Sequence, residues 1–300
     1  MKKIIPVLIT FDVDPTKNID IAMNKSLKLL NDLNIKSTFF YTAKMAKTST
    51  CKKIIKEKHE IGCHALNHDD YEEFDKLPSK ESRKLLKKAT SILKKKSGQK
   101  ITSFRSARVK ISSDTLKVLQ RLGYKLDSSV CSQRFDLISS NLINLGWLVS
   151  PRTPYFPNKN SAYKRGDLNI LEIPVSAIIL PFISTTLRIF GLTLMKVLFN
   201  LLYFESKFTG KPIVYLIHPH EFTYSKGEVK FSLKYLIPNK SWLIRGFPIR
   251  IWLGRRLDGN EVLEINKKLF QWISKKKKVK FFTMDQFRKY YCSQKESVES

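Results

Sequence analysis

The 300 residues, 42% hydrophobic and 27% charged, suit a soluble globular protein with a sizeable core. Lys+Arg 55 against Asp+Glu 26 gives a net charge of +29, which favours polyanionic partners or simply places lysines on solvated helix faces. Aromatics do not interleave with the basic runs "KKATSILKKK" and "ISKKKKVK", which argues against a dedicated nucleic-acid surface, and Cys51, Cys63, Cys131 and Cys292 lack the paired spacing of a zinc knuckle and give no argument for disulfides.

Lys2 and Lys3 ahead of "IIPVLI" superficially look like a signal peptide, but the apolar run is too short and leads straight into Asp12. It is read as the first core strand, "IIPVLITFD", which places the protein in the cytoplasm. Residues 19–33 put Ala22, Met23, Leu27, Leu30 and Leu33 on one helical face. "IKSTFFYT" predicts a second strand, 51–58 a short helix and "HEIGCH" a third strand. Residues 80–96 bury Leu85, Leu86, Ala89, Ile92 and Leu93 in a helix that stops at Ser97-Gly98. "ITSFRSA" is a fourth strand, "SSDTLKVLQRLG" a helix capped by Ser112 or Ser113 and stopped by Gly123, and "YKLDSSV" a fifth strand. "LNILEIPVS", "KPIVYLIH" and "VKFFT" are further strands.

Strands alternating with helices imply an α/β fold with a parallel sheet, here a single-domain (β/α) barrel, distorted or incomplete. Chemistry in such a barrel lies at the C-terminal strand ends, and Asp12, His64, Arg105, Asp127 and His218 each stand at or near one. Two segments fall outside the regular alternation. One is apolar, near 175–204; the other is basic and aromatic, near 222–257 and including "SWLIRGFPIRIWLGRR".

Asp12 and Asp14 in "TFDVD" share one side of an extended strand, although Asp14-Pro15-Thr16 equally starts a turn. His64 and His68 in "HALNH" are spaced to converge on one metal if the segment turns helically; the alternative is two ordinary histidines. One Asp with two His leaves coordination positions open for water and substrate, with Zn2+ the default and other first-row metals accepted. In "YLIHPHEF", His218 ends an apolar strand as a natural acid or base, and His220 is either part of the site or a locally bonded turn residue. Arg108 and Arg152 are candidate substrate anchors, Arg108 for a carboxylate or phosphate and Arg152, in "SPRTPYFP", for a phosphate; Arg108 equally suits an ordinary surface position.

These motifs together, "TFDVD", "HALNH", "FRSAR", "YKLDSS" and "LIHPH", resemble the polysaccharide deacetylases of the NodB homology type, carbohydrate esterase family four, over residues 4–290. The resemblance implies that Asp12 is the general base, that Asp14, His64 and His68 hold a divalent metal, and that Arg105 holds the base aspartate. It implies that Asp127 is the acid tuning the catalytic histidine and that His218 is that histidine. The activity implied is metal-dependent hydrolysis of an N-acyl group, most simply N-acetyl, from an amino sugar. Three features depart from the family pattern: the spacer Val13, Ala65 where Ser or Thr is common, and "RSAR" without proline or an aromatic. Relatives on the same scaffold that open cyclic amides of the allantoin type, and non-catalytic sugar- or lipid-binding relatives, are the alternatives.

The apolar segment 175–204 is interrupted by prolines, Gly191, Arg188 and Lys196, so no transmembrane span is predicted. From Thr186 it reads as a helix with a thin polar stripe of Arg188, Lys196 and Asn200. Either it is a buried barrel helix or, with the basic-aromatic segment, it meets an anionic membrane. The latter gives a peripheral protein on the inner membrane face acting on a lipid-linked glycan.

Overall fold

The computed structural model describes residues 4–69, 71–135, 144–227, 229–236 and 249–299. Strand β1 (Ile5–Val13) is buried along its whole length and organises the rest. Its odd positions, such as Phe11, meet the surrounding shell, where Phe11 stacks on Phe39 with ring centroids 4.8 Å apart. Its even positions, Thr10 and Asp12, project to the opposite side, and Asp14 follows just past the strand end.

The succession continues through α1 (Ile19–Asp32), β2 (Thr38–Tyr41), α2 (Thr48–Lys56), β3 (Glu60–Cys63), α3 (Ser79–Ser97), β4 (Ser103–Phe104), α4 (Ser113–Arg121) and β5 (Leu126–Asp127). Next come a short helix, α5 (Leu145–Val149), the hairpin β6 (Pro157–Asn158) and β7 (Ser161–Arg165), then β8 (Leu171–Glu172). A second small hairpin, β9 (Ala177–Ile178) and β10 (Leu180–Pro181), leads into α6 (Ser184–Thr209) and β11 (Ile213–Ile217). After the helix Gly259–Ser274, strand β12 (Val279–Phe281) precedes the last helix, Met284–Glu299.

The main sheet is parallel in the order β11-β1-β2-β3-β4-β5-β8, with β12 added beside β1. It curls with helices outside it into a half-barrel. Between β8 and β11 no strand ladder forms among the described residues; Ser176 bridges instead, its amide donating to Val214 O at 3.2 Å and its hydroxyl accepting from Val214 N at 2.9 Å. This is the distorted, incomplete barrel expected from the sequence.

Local signals act as the sequence reading requires. Ser112 caps α4 by accepting from Thr115 N at 3.2 Å, and α3 ends on Gly98 at φ 73°, a left-handed position that favours glycine. The helix Gly259–Ser274 opens with a reciprocal cap between Asp258 and Glu261. Gly62 in β3 is required by close approach: a Cβ there would stand 2.6 Å from the Phe40 ring. That ring lies beneath the Arg105 guanidinium, 4.3 Å from its centroid, so the small residue on β3 makes room for the floor of the site.

Candidate active site

Arg105, just past β4, is completely buried, and every nitrogen of its guanidinium is engaged. Nε donates to Ser128 O at 3.0 Å and Nη2 to Ser128 Oγ at 2.8 Å. Nη1 donates to Thr10 Oγ1 and to Asp12 Oδ1, both at 2.8 Å. A planar fork fixed at so many points cannot swing, so it pins one oxygen of Asp12.

Asp14 lies beyond the strand and meets the two histidines of "HALNH". Its Oδ1 is 3.4 Å from His64 Nε2 and 3.3 Å from His68 Nε2, and the three potential ligand atoms all lie within 4.8 Å of one another. Oδ1 is buried with no hydrogen-bond donor of its own. The other ring nitrogen of His64 donates to Arg105 O at 2.7 Å, which turns the Nε2 lone pair toward Asp14. An orphaned carboxylate oxygen beside two convergent imidazoles, one with its tautomer fixed from behind, fits a divalent cation.

The convergence is not helical, contrary to the sequence expectation. Ala65 and His68 adopt φ of 69° and 60°, and residues 64–68 form a loop. Buried Glu72 holds that loop, one carboxylate oxygen accepting from Leu66 N at 3.2 Å, Asn67 N at 2.9 Å and His68 N at 2.7 Å. Three amides aimed at one charge offset left-handed backbone that non-glycine residues seldom adopt. The i, i+4 spacing points to a helix, and nothing in the sequence marks Glu72, four residues after His68, as the acid that shapes the loop.

His218, at the end of β11, faces the same space with Nε2 3.7 Å from Asp14 Oδ2. Its Nδ1 is 3.3 Å from Glu221 Oε1. Glu221 is buried, receives the Ser184 hydroxyl, and pairs with Arg188 Nη2 at 3.0 Å. Here the expectation for Asp127 is corrected. Among the described residues Asp127 makes no bond to His218; it accepts from Ser129 Oγ at 2.6 Å and stands opposite Glu172 in the β5–β8 register. Burial raises the pKa of both carboxyls, and each is part of the buried structure rather than of the cavity. The acid serving the histidine is Glu221, three residues away in the same motif.

Electrostatics follow from this geometry. Burial works against charge on Asp14, but the facing His64, His218 and His68 imidazoles hold its carboxyl well below the usual carboxylate range. Burial likewise opposes charge on His218, yet Glu221 and then Asp14 lift its pKa to about 9. His68 is pushed down by burial, while His64 is raised because Asp12 and Asp14 outweigh its burial. His220 packs against His218 with ring centroids 5.3 Å apart, and burial and the His218 charge lower it to about 4.

A cavity of about 490 Å³ joins Asp12, Asp14, His64, His68 and His218, and His220 and Arg108 also line it. Arg108 sits at φ 57° and pairs with Glu73 at 3.3 Å. The structure does not bring Arg152 to the cavity lining. Its guanidinium clamps Glu205, with Nε 2.6 Å from Oε1 and Nη2 2.5 Å from Oε2, and reaches Ala177 O at 2.8 Å. Arg188, expected in a thin polar stripe with Lys196 and Asn200, is buried, pairs with Glu221 and lines the cavity. Residues 228 and 237–248 of the basic-aromatic segment lie outside the described residues, while Gly254 and Arg255 line the cavity.

The family model for polysaccharide deacetylase matches residues 2–126, a stretch holding Asp12, Asp14, His64, His68 and Arg105 but not His218. No curated protein matches the chain. Among solved structures, a putative polysaccharide deacetylase from Mycobacterium smegmatis superposes with TM-score 0.64 at 16% identity, over 98% of this chain and 92% of that one. The Bc1960 peptidoglycan N-acetylglucosamine deacetylase gives TM-score 0.49 at 16% identity, over 93% of this chain and 86% of that one. A family four pseudoenzyme from Bacillus anthracis, BA3943, gives 0.43 at 14% identity, over 73% of this chain and 55% of that one.

Proposed function

We propose that this chain is a polysaccharide deacetylase, as the match over residues 2–126 supports, and that it hydrolyses the N-acetyl group of an amino sugar with the help of a divalent metal. The observation that carries this reading is Asp14 Oδ1, buried and undonated between two imidazole Nε2 atoms, with His218 across the same cavity. Asp14, His64 and His68 would hold the cation, Zn2+ being the first choice for one carboxylate and two imidazoles. Bound there, it would supply Lewis-acid chemistry at the acyl carbonyl.

The chain's own residues do the rest. Asp12, held at one oxygen by Arg105, takes a proton from the water that adds to the acyl carbon. His218 gives a proton from Nε2 to the nitrogen as the C–N bond breaks, so the products are acetate and a free amine. Glu221 accepts from Nδ1 and fixes the ring so that Nε2 faces the cavity. Val175, Leu180, Ile183 and Leu216 give the cavity an apolar side that suits an acyl methyl, and its volume fits a sugar residue.

The substrate we favour is an amino sugar on a lipid-linked glycan precursor, handled at the cytoplasmic face of the membrane by a peripherally bound protein. The long apolar helix α6, whose residues Ile189 and Phe190 line the cavity, supports that choice. Amine release from free and lipid-linked N-acetylglucosamine, with Asp12→Asn and His68→Ala as controls, tests both parts. Release only from the free sugar removes the lipid-linked part, and release surviving both substitutions removes the mechanism.

A further inference from the structure

Helix α6 carries an apolar surface that the reaction does not use. Val197, Leu201, Phe204 and Phe208 follow the i, i+4, i+7, i+11 spacing of one helix face and are 49%, 48%, 56% and 75% exposed. They are not the core face: Met195, Leu198, Phe199 and Leu202 are buried and hold the helix to the body of the protein. The helix is long and apolar enough to cross a membrane, but φ 80° and ψ 179° at Gly191 break it and its buried face is committed to the fold. What it presents outward is a stripe.

The acid beside that stripe is closed off, and the stripe's open flank is basic. Lys196 and Lys207 each precede a stripe residue and line one flank. Glu205, the acid of this stretch, is engaged by Arg152 and by Lys211 Nζ at 2.6 Å. Toward its N-terminal end the same helix offers Phe190, 42% exposed and part of the cavity lining.

We infer that this face of α6 docks on an anionic lipid bilayer, its aromatic and aliphatic side chains in the interface and the lysine flank on the headgroups. Charge decides the occupant. A second copy would bring together chains of net charge +29, each with the same lysines beside the stripe, whereas an anionic surface complements both. The inference rests on the membrane part of the reading above and gives it an address, and its test needs no turnover.

The test is co-sedimentation of the full chain with vesicles of phosphatidylcholine alone or mixed with phosphatidylglycerol, comparing wild type with Leu201→Ser/Phe204→Ser and with Lys196→Gln/Lys207→Gln. Binding is expected to the mixed vesicles and to weaken on the order of tenfold in each double variant, with amine release from a soluble amino sugar unchanged. Such a pattern upholds the surface even if no sugar tested is deacetylated, so the two readings fail separately. The inference is overturned if wild type ignores the mixed vesicles, if the apolar variant binds them as well as wild type, or if the substitutions dissolve a dimer instead.

Discussion

Glu221 Oε1 stands 3.3 Å from His218 Nδ1, and Arg188 Nη2 reaches the same carboxylate oxygen at 3.0 Å. The arginine holds the glutamate, and the glutamate holds the histidine. Arg188 and, despite burial, His218 keep the Glu221 carboxyl low, at about 2, so it stays a charged acceptor throughout the working range. Glu221→Gln keeps the shape and removes the charge. Amine release should fall roughly 10- to 100-fold in kcat, with KM little changed and metal content intact. A structural role alone would instead show as lost folding or lost metal.

Asp12 is placed by Arg105 and by its position on β1. Asp12→Asn should lower kcat by about 10²- to 10⁴-fold, the range for removing a general base, while the metal stays bound. Metal analysis alongside single-turnover rates separates this from loss of the cation site.

Glu72 touches no reacting atom and acts through the loop that presents His68. Glu72→Ala leaves the amides of Leu66, Asn67 and His68 without their acceptor. Metal affinity should drop by about 10- to 100-fold, the usual effect of losing a residue that orients ligands, and Glu72→Gln should restore part of it. Competition with a chromogenic chelator gives the number.

His59 gives a prediction independent of the site. It is buried with Nδ1 accepting from Ser37 N at 3.2 Å, and burial, then Lys36, push it down to about 4. The unfolded chain binds this proton at an ordinary pKa of about 6.5, the folded chain only near 4, so folded stability is lost as pH falls between those values. That window is worth at most about 3 kcal/mol. Urea unfolding across it should be steeper in wild type than in His59→Asn; equal slopes would contradict the assignment.

Much of this arrangement was legible because strand ends announce themselves. An apolar run that stops in an acid or a histidine marks both the strand and the residue it delivers, as with Asp12, Arg105 and His218. Contacts made by tertiary packing were not legible. Arg188 carries no sign in the sequence that it turns inward to Glu221, and it fits the pattern of a solvated stripe equally well. The motif resemblance pairs Asp127 with the histidine, while the β5–β8 register sets it beside Glu172. Helix spacing in "HALNH" was outvoted by three amides converging on Glu72. Strands of two residues, such as β6, β9 and β10, leave no periodicity to read.

Anomalous diffraction from crystals grown with Zn2+, collected on both sides of the zinc edge, tests the core of this account most directly. One strong peak is predicted within coordination distance, about 2.0–2.2 Å, of Asp14 Oδ1, His64 Nε2 and His68 Nε2 together. A peak elsewhere, or none while these three side chains keep the positions described, would contradict it.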